Sequence, residues 1–194
     1  MFDVFFEHLK QYSSEPLSED EKLLIRNAFT PANLRKRQYF LQAGNLCKQS
    51  AFITKGAMRQ YTTDDSGTEH ITHLGIENWW MGDRESMMMK TPSIYNIDAW
   101  EDTQMLLITR EESEKLIRTV PAFCDMKHLL DQKSNIANLK RINSTISATA
   151  EKRYTDFAER YPELLERFPQ HLIASYLGIN KDTLSRVKRQ SLRR

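Results

Sequence analysis

Hydrophobic positions along this chain switch from helical to strand spacing and back again. Over residues 1–29, Phe2, Phe5, Phe6 and Leu9 share one helical face. Ser18 followed by Glu21 then makes a capping box ahead of Leu23, Leu24, Ile25 and Phe29, which predicts a second helix. From about Asn33 the texture changes to short β-type runs at 37–41, 50–54, 57–63, 69–74, 93–99 and 104–108. Turn residues divide them at 43–45, 55–56 and 64–67. Short strands at intervals of about ten residues predict an antiparallel sandwich or barrel.

Helical spacing returns at Arg110. A short helix over 111–118 ends before Pro121, which is suited to open the next one. Residues 122–146 then read as one long helix. A heptad register puts Leu129, Ile136 and Asn143 at one seam position, and Gln132, Leu139 and Ile146 at the other. The alternative is a helix that packs only on its own domain. A polar-interrupted seam on so long a helix is better explained by dimerisation through Leu129, Ile136, Leu139 and Ile146. A further helix over about 150–160 leads through Tyr161-Pro162 and Phe168-Pro169 into the last segment.

That segment, Gln170 to Gln190, reads as two short helices joined at Gly178, the second of them basic. Ile173, Leu177, Ile179, Leu184 and Val187 are spaced for two helices crossing steeply, and Ala174 lets their backbones approach. Gly178 supplies a left-handed turn, Asn180 an N-cap, and Asp182 an acid in the first turn of the second helix. The outer face carries Lys181, Asp182, Ser185, Arg186 and Arg189. Basic residues collect here (Lys181, Arg186, Lys188, Arg189, Arg193 and Arg194) against Asp182 alone. An inert helical hairpin accounts for the charge, because cations favour helix C-termini. It does not account for the joint fit of apolar, small and glycine positions, which points to a helix-turn-helix and to DNA.

Composition narrows the class without changing it. The chain has 194 residues, 40% hydrophobic and 28% charged, with six glycines and six prolines, an ordinary globular balance. Its net charge of +2 imposes no global field, so the positive charge that matters is local. Cys47 and Cys124 match no zinc or redox spacing and read as thiols in a reducing compartment. The N-terminal apolar run is too short and too acidic for a signal peptide, and no 18-residue apolar stretch exists. A cytoplasmic protein without membrane partners is expected.

The order helix, β-sandwich, long helix, helix-turn-helix resembles the Crp/Fnr superfamily of bacterial transcription regulators, over nearly the whole chain. Two segments carry the resemblance. Residues 173–186 are similar to the family's recognition motif, and Trp80-Met-Gly-Asp-Arg-Glu-Ser86 with 92–102 is similar to its cyclic-nucleotide cassette. The resemblance implies an α+β chain. An N-terminal antiparallel β jelly-roll (double-stranded β-helix) effector domain would occupy 1–120, a dimerisation helix 121–147, and an all-α helix-turn-helix domain 148–194. It implies base reading by Lys181, Asp182 and Arg186, with phosphate contacts from Thr183, Ser185 and the Asn180 backbone, and Arg189 on the same face. Arg186 suits a guanine, and Asp182 a cytosine amine or the orientation of Arg186. A homodimer on a palindromic operator, and a contact with RNA polymerase, are implied as well. With only four residues after Gln190, no wing hairpin is expected behind the second helix.

The effector pocket implied by the cassette comprises Gly82, Asp83, Arg84, Glu85, Ser86, Ser93 and Tyr95. Gly82-Asp83 keeps the ribose-holding pair, but Pro92 stands where the phosphate-holding arginine belongs, leaving only Ser93. Losing a charge-assisted bidentate contact removes the strongest anchor for a cyclic phosphate. No cofactor is therefore expected, and control by an unknown small effector, or none, replaces cAMP; Arg84 is the nearest substitute cation. The family's iron–sulfur branch needs a cysteine cluster that two distant cysteines cannot form. Its haem branch has candidate ligands in His70, His73, Met58 and Met87 to Met89. A rival from another class is a cupin-like metal enzyme or small-molecule-binding barrel built on His70 and His73. Cupin ligands sit at i and i+2, whereas these are three apart and face opposite sides unless a bulge intervenes. Trp79-Trp80 reads either as pocket lining or as core, and Arg35 to Arg37 as a solvated strand edge.

Overall fold

The computed structural model describes residues 1–13 and 15–191. Helices α1 (Phe2–Leu9) and α2 (Glu19–Ala28) open the chain. The capping box forms: the Ser18 hydroxyl accepts the Glu21 amide, and the Glu21 carboxylate accepts the Ser18 amide. Eight strands follow: β1 (Thr30–Leu34), β2 (Tyr39–Leu41), β3 (Gln49–Lys55), β4 (Met58–Thr63), β5 (Glu69–Gly75), β6 (Trp80–Met81), β7 (Asn96–Ala99) and β8 (Thr103–Thr109). Helix α3 (Arg84–Met89) bridges β6 and β7. The strands pair antiparallel in two sheets, ordered β1-β8-β3-β6 and β2-β7-β4-β5, and so build the expected jelly-roll.

Two strand limits differ from the sequence pattern. The run from Arg37 shortens to Tyr39–Leu41, because Arg37 turns with φ 72°. The run from Ser93 begins as a strand only at Asn96, because the Ser93 hydroxyl accepts the Tyr95 amide and holds a local turn. The pattern also gave no sign of β1, which contains Pro31 and lies at a sheet edge.

The remaining elements are helical: α4 (Arg110–Thr119), α5 (Pro121–Ser147), α6 (Ala150–Arg160), α7 (Pro162–Arg167), α8 (Gln170–Leu177) and α9 (Lys181–Ser191). Three apolar clusters hold these layers together. Leu41, Ala51, Ile53, Met58, Met81, Ile97 and Met105 fill the roll. Phe5, Phe29, Phe52, Leu106 and Phe123 join the first sheet's outer face to α1, α2, α4 and the start of α5. Tyr61, Ile71 and Leu74 of the second sheet's outer face share a core with Phe157, Leu164, Phe168, Leu172 and Ile173. The C-terminal helices are thus seated on the β domain.

Candidate nucleic-acid interface and cassette

The turn between α8 and α9 closes as a Schellman motif. Gly178 takes φ 63° and ψ 37°, its amide donates to the Ser175 carbonyl, and the Ile179 amide donates to the Ala174 carbonyl, each at 3.0 Å. Arg153 of α6 adds a guanidinium hydrogen bond to the Leu177 carbonyl at 2.9 Å, satisfying another terminal acceptor of α8. Asn180 caps α9, its side-chain oxygen accepting the Asp182 amide at 2.8 Å. Ile173, Ala174, Leu184 and Val187 are buried together. This fixes the rotation of α9. Asn180, Lys181, Asp182, Arg186 and Arg189 are exposed, while Thr183 and Ser185 are half-buried. Among the described residues no ion pair joins Asp182 to Arg186, and Lys181, Arg186 and Arg189 take part in no salt bridge. Arg193 and Arg194 lie outside the described residues.

On α5, Leu129, Ile136, Leu139 and Ile146 are 40–81% exposed, together with Ile142. A helix that packed only on its own domain would bury such a stripe. The buried residues of α5 are instead confined to its first turns, at Ala122, Phe123 and Met126.

The cassette is held by its own side chains. Asp83 caps α3 by accepting the Ser86 amide at 3.2 Å, and its own amide donates to the Cys47 thiol sulfur at 3.3 Å. The Ser86 hydroxyl donates to the Thr91 carbonyl at 2.6 Å and accepts the Cys47 amide at 2.9 Å. Asp83, Ser86 and Ser93 are buried, Gly82 and Tyr95 half-buried, and Glu85 and Pro92 exposed. Arg84 reaches outward to Asp131 of α5 at 2.6 Å. Burial raises the Cys47 thiol pKa despite a hydrogen bond from the Asp83 amide and one to the Gln49 carbonyl, which keeps it a neutral packing group.

The bulge that would bring His70 and His73 to one face is present. His73 lies opposite Gln60 and Ile71 opposite Tyr61, so Thr72 is the extra residue of β5. The opposite-face expectation is thereby corrected. The two imidazoles still serve separate partners: His70 sits 2.8 Å from Asp64, and His73 lies against the Trp79 ring. No group of three or more His, Cys, Asp or Glu side chains suited to a metal occurs among the described residues. Burial, reinforced by the Arg141 cation and opposed by a hydrogen bond with the Trp80 backbone, pushes the His73 imidazole down to about 4. Trp79 and Trp80 divide between two cores. Trp79 stacks edge-on to Tyr161, while Trp80 contacts Phe5, Phe29 and Phe52. Met87 is half-buried against the roll interior, and Met88 and Met89 are exposed.

No pattern in the chain marks the polar contacts that hold the C-terminal helices to the second sheet. Arg167, at the end of α7, bridges Glu77 and Glu101. Burial pushes the Glu77 carboxyl up, but Arg167 and nearby amides hold it below the usual carboxylate range. Arg59, on the same face, binds Asp98 and Glu69 and lies over the Tyr61 ring. Burial alone would lower the Arg59 pKa, and the two carboxylates raise it above the ordinary value.

Residues 31–120 match the family model described as Cyclic nucleotide-binding domain. No curated protein is matched by sequence. Among solved structures, FixK2 from Bradyrhizobium japonicum superposes with a TM-score of 0.70 at 18% identity, covering 84% of this chain and 83% of that one. A crp/fnr-family protein from Eubacterium rectale gives 0.63 at 18% identity, with 90% and 83% covered. The catabolite activator protein of Thermus thermophilus gives 0.54 at 22% identity, with 94% and 85% covered. Over residues 31–120 the β domain is therefore similar to cyclic nucleotide-binding domains. The chain as a whole shares its fold with FixK2 and with the crp/fnr-family protein from Eubacterium rectale, and no helix among the described residues is long and apolar enough to cross a membrane.

Proposed function

We propose that the chain is a sequence-specific DNA-binding transcription regulator that works as a homodimer. The observation that carries this reading is the α9 face, where Lys181, Asp182, Arg186 and Arg189 point to solvent while Leu184 and Val187 lock the helix from behind. The exposed stripe of α5 supports pairing of two chains along that helix, which would set two recognition helices at a fixed separation. Residues 1–120 then serve as the sensing or supporting domain, 121–147 as the seam and 148–194 as the reading head.

The cassette argues against cAMP as the controlling ligand. A cyclic phosphate needs a cation where Pro92 stands, and the arginine within the cassette, Arg84, is engaged by Asp131. The regulator is therefore constitutive or answers another small molecule. A metal enzyme built on His70 and His73 is disfavoured, because one imidazole is spent on Asp64 and the other is half-buried beside Trp79 and held neutral.

Titration of a random 40-base-pair duplex at several salt concentrations tests the DNA reading. Binding should weaken log-linearly with salt, in proportion to the phosphates neutralised. Absence of binding at low salt would reject it.

A further inference from the structure

The reading head is fastened to the β domain at two points that leave its recognition face open. At the first, the Arg167 guanidinium makes paired hydrogen bonds to Glu101 (2.8 and 2.6 Å) and to Glu77 (3.1 and 3.4 Å). Glu77 also accepts the Gly56 amide at 2.7 Å, and the Trp100 indole donates to the Arg167 carbonyl at 3.2 Å. One residue of α7 therefore gathers the β3–β4, β5–β6 and β7–β8 turns.

The second point is the outer edge of β5, the last strand of its sheet. The Ser175 hydroxyl of α8 accepts the Ile71 amide at 2.9 Å and donates to the Glu69 carbonyl at 3.2 Å. It stands where a neighbouring strand would pair, so the edge is satisfied by the reading head itself. Arg141 of α5 takes the next carbonyl, that of Thr72, at 2.8 Å, and lies over the Tyr176 ring of α8. The helix that carries the proposed dimer seam, the sheet edge and α8 thus meet in one place. Gly178 and Arg153 then pass the orientation of α8 on to α9.

We propose that Arg167, through Glu77 and Glu101, and Ser175, through the β5 edge, are positioning residues for DNA reading. They preset the direction of α9 relative to α5 without any bound effector. This rests on the DNA-binding reading above. Neither residue touches the proposed reading face; their role is to keep the reading-ready orientation populated. An unfastened head would sample other orientations, and apparent affinity falls in proportion to the competent fraction.

The test uses the full chain and two readouts. Exchange of the Ile71 amide, measured by NMR, reports docking directly because its acceptor is Ser175. Operator binding is measured with a duplex selected by the wild-type protein. In Arg167→Met, which keeps the aliphatic stem, Ile71 exchange should accelerate and operator affinity should fall about tenfold, the loss expected when about a tenth of the heads remain oriented. Amides inside the roll, such as that of Ile53, should keep their protection, which a general loss of stability would not allow. Should Arg167→Met fail to fold, Glu101→Gln and Ser175→Ala provide the same comparison with milder changes. Faster Ile71 exchange with unchanged or tighter operator binding would overturn the proposal, as would unchanged Ile71 exchange. If the wild-type protein selects no duplex at all, the DNA reading fails, and the exchange arm still tells whether the fastening exists.

Discussion

Arg84 lies 2.6 Å from Asp131, so the cassette helix α3 is tied to the long helix α5 by an ion pair. The Arg84 and Asp131 side chains are 54% and 39% exposed. Such a pair contributes no more than about 1 kcal/mol. Its significance is directional: the arginine within the cassette is paired with α5.

That geometry yields the first prediction. Millimolar cAMP should leave the thermal unfolding midpoint unchanged, because ligand binding to the native state alone would raise it. A clear, saturable rise in differential scanning fluorimetry would contradict the arrangement described for Pro92 and Arg84.

A second prediction concerns base reading. Arg186→Ala should relax preference at one operator position at a cost of about 1–3 kcal/mol, leaving the other positions intact. Equal weakening on every sequence, measured by competition among single-base variants of the operator, would show that Arg186 binds phosphate instead.

The exposed α5 stripe yields a third. Ile136→Glu or Leu139→Glu should convert a dimer to a monomer in sedimentation experiments, while thermal stability of the monomer changes by less than about 1 kcal/mol because both sites are already solvent-facing within one chain. A variant that remains dimeric would move the seam off α5.

His73 supplies the fourth. Its imidazole, pushed down to about 4, is neutral in the folded chain at pH values where an unfolded histidine near 6.5 takes up a proton. A depressed cationic group of this kind costs stability as pH falls, because the unfolded state binds more protons. The contribution is intact above about pH 6.5 and is lost progressively between there and about pH 4, by about 2–3 kcal/mol over the window. Urea unfolding across this range should show the loss in wild type and a shallower one in His73→Gln; equal slopes would place the pH sensitivity elsewhere.

Local features of the chain were readable from sequence to the extent that their causes are local. The capping box at Ser18 and Glu21, the cap at Asn180 and the left-handed turn at Gly178 each depend on residues within a few positions of one another. The strand rhythm gave the roll but not its pairing. It missed β1 because Pro31 reads as a break, and β6 because two residues carry no period. A single added residue, Thr72, reversed the face of every position behind it on β5, which alternation alone does not anticipate. The docking of the reading head was the least readable part. Ser175 and Ile71 meet across 104 positions of sequence, and Arg167 looks like any cation at a helix C-terminus until the turns holding Glu77 and Glu101 are brought beneath it. Polar residues on a helix surface show no period that says what lies opposite.

In the proposed function, two copies of α9, joined through α5, read DNA. Selection of bound fragments from random duplex by the purified protein tests it most directly. A palindromic consensus is expected, with half-sites separated by about one helical turn, 10–10.5 base pairs, or a multiple of it. A consensus without two-fold symmetry, or no enrichment over input, would contradict it.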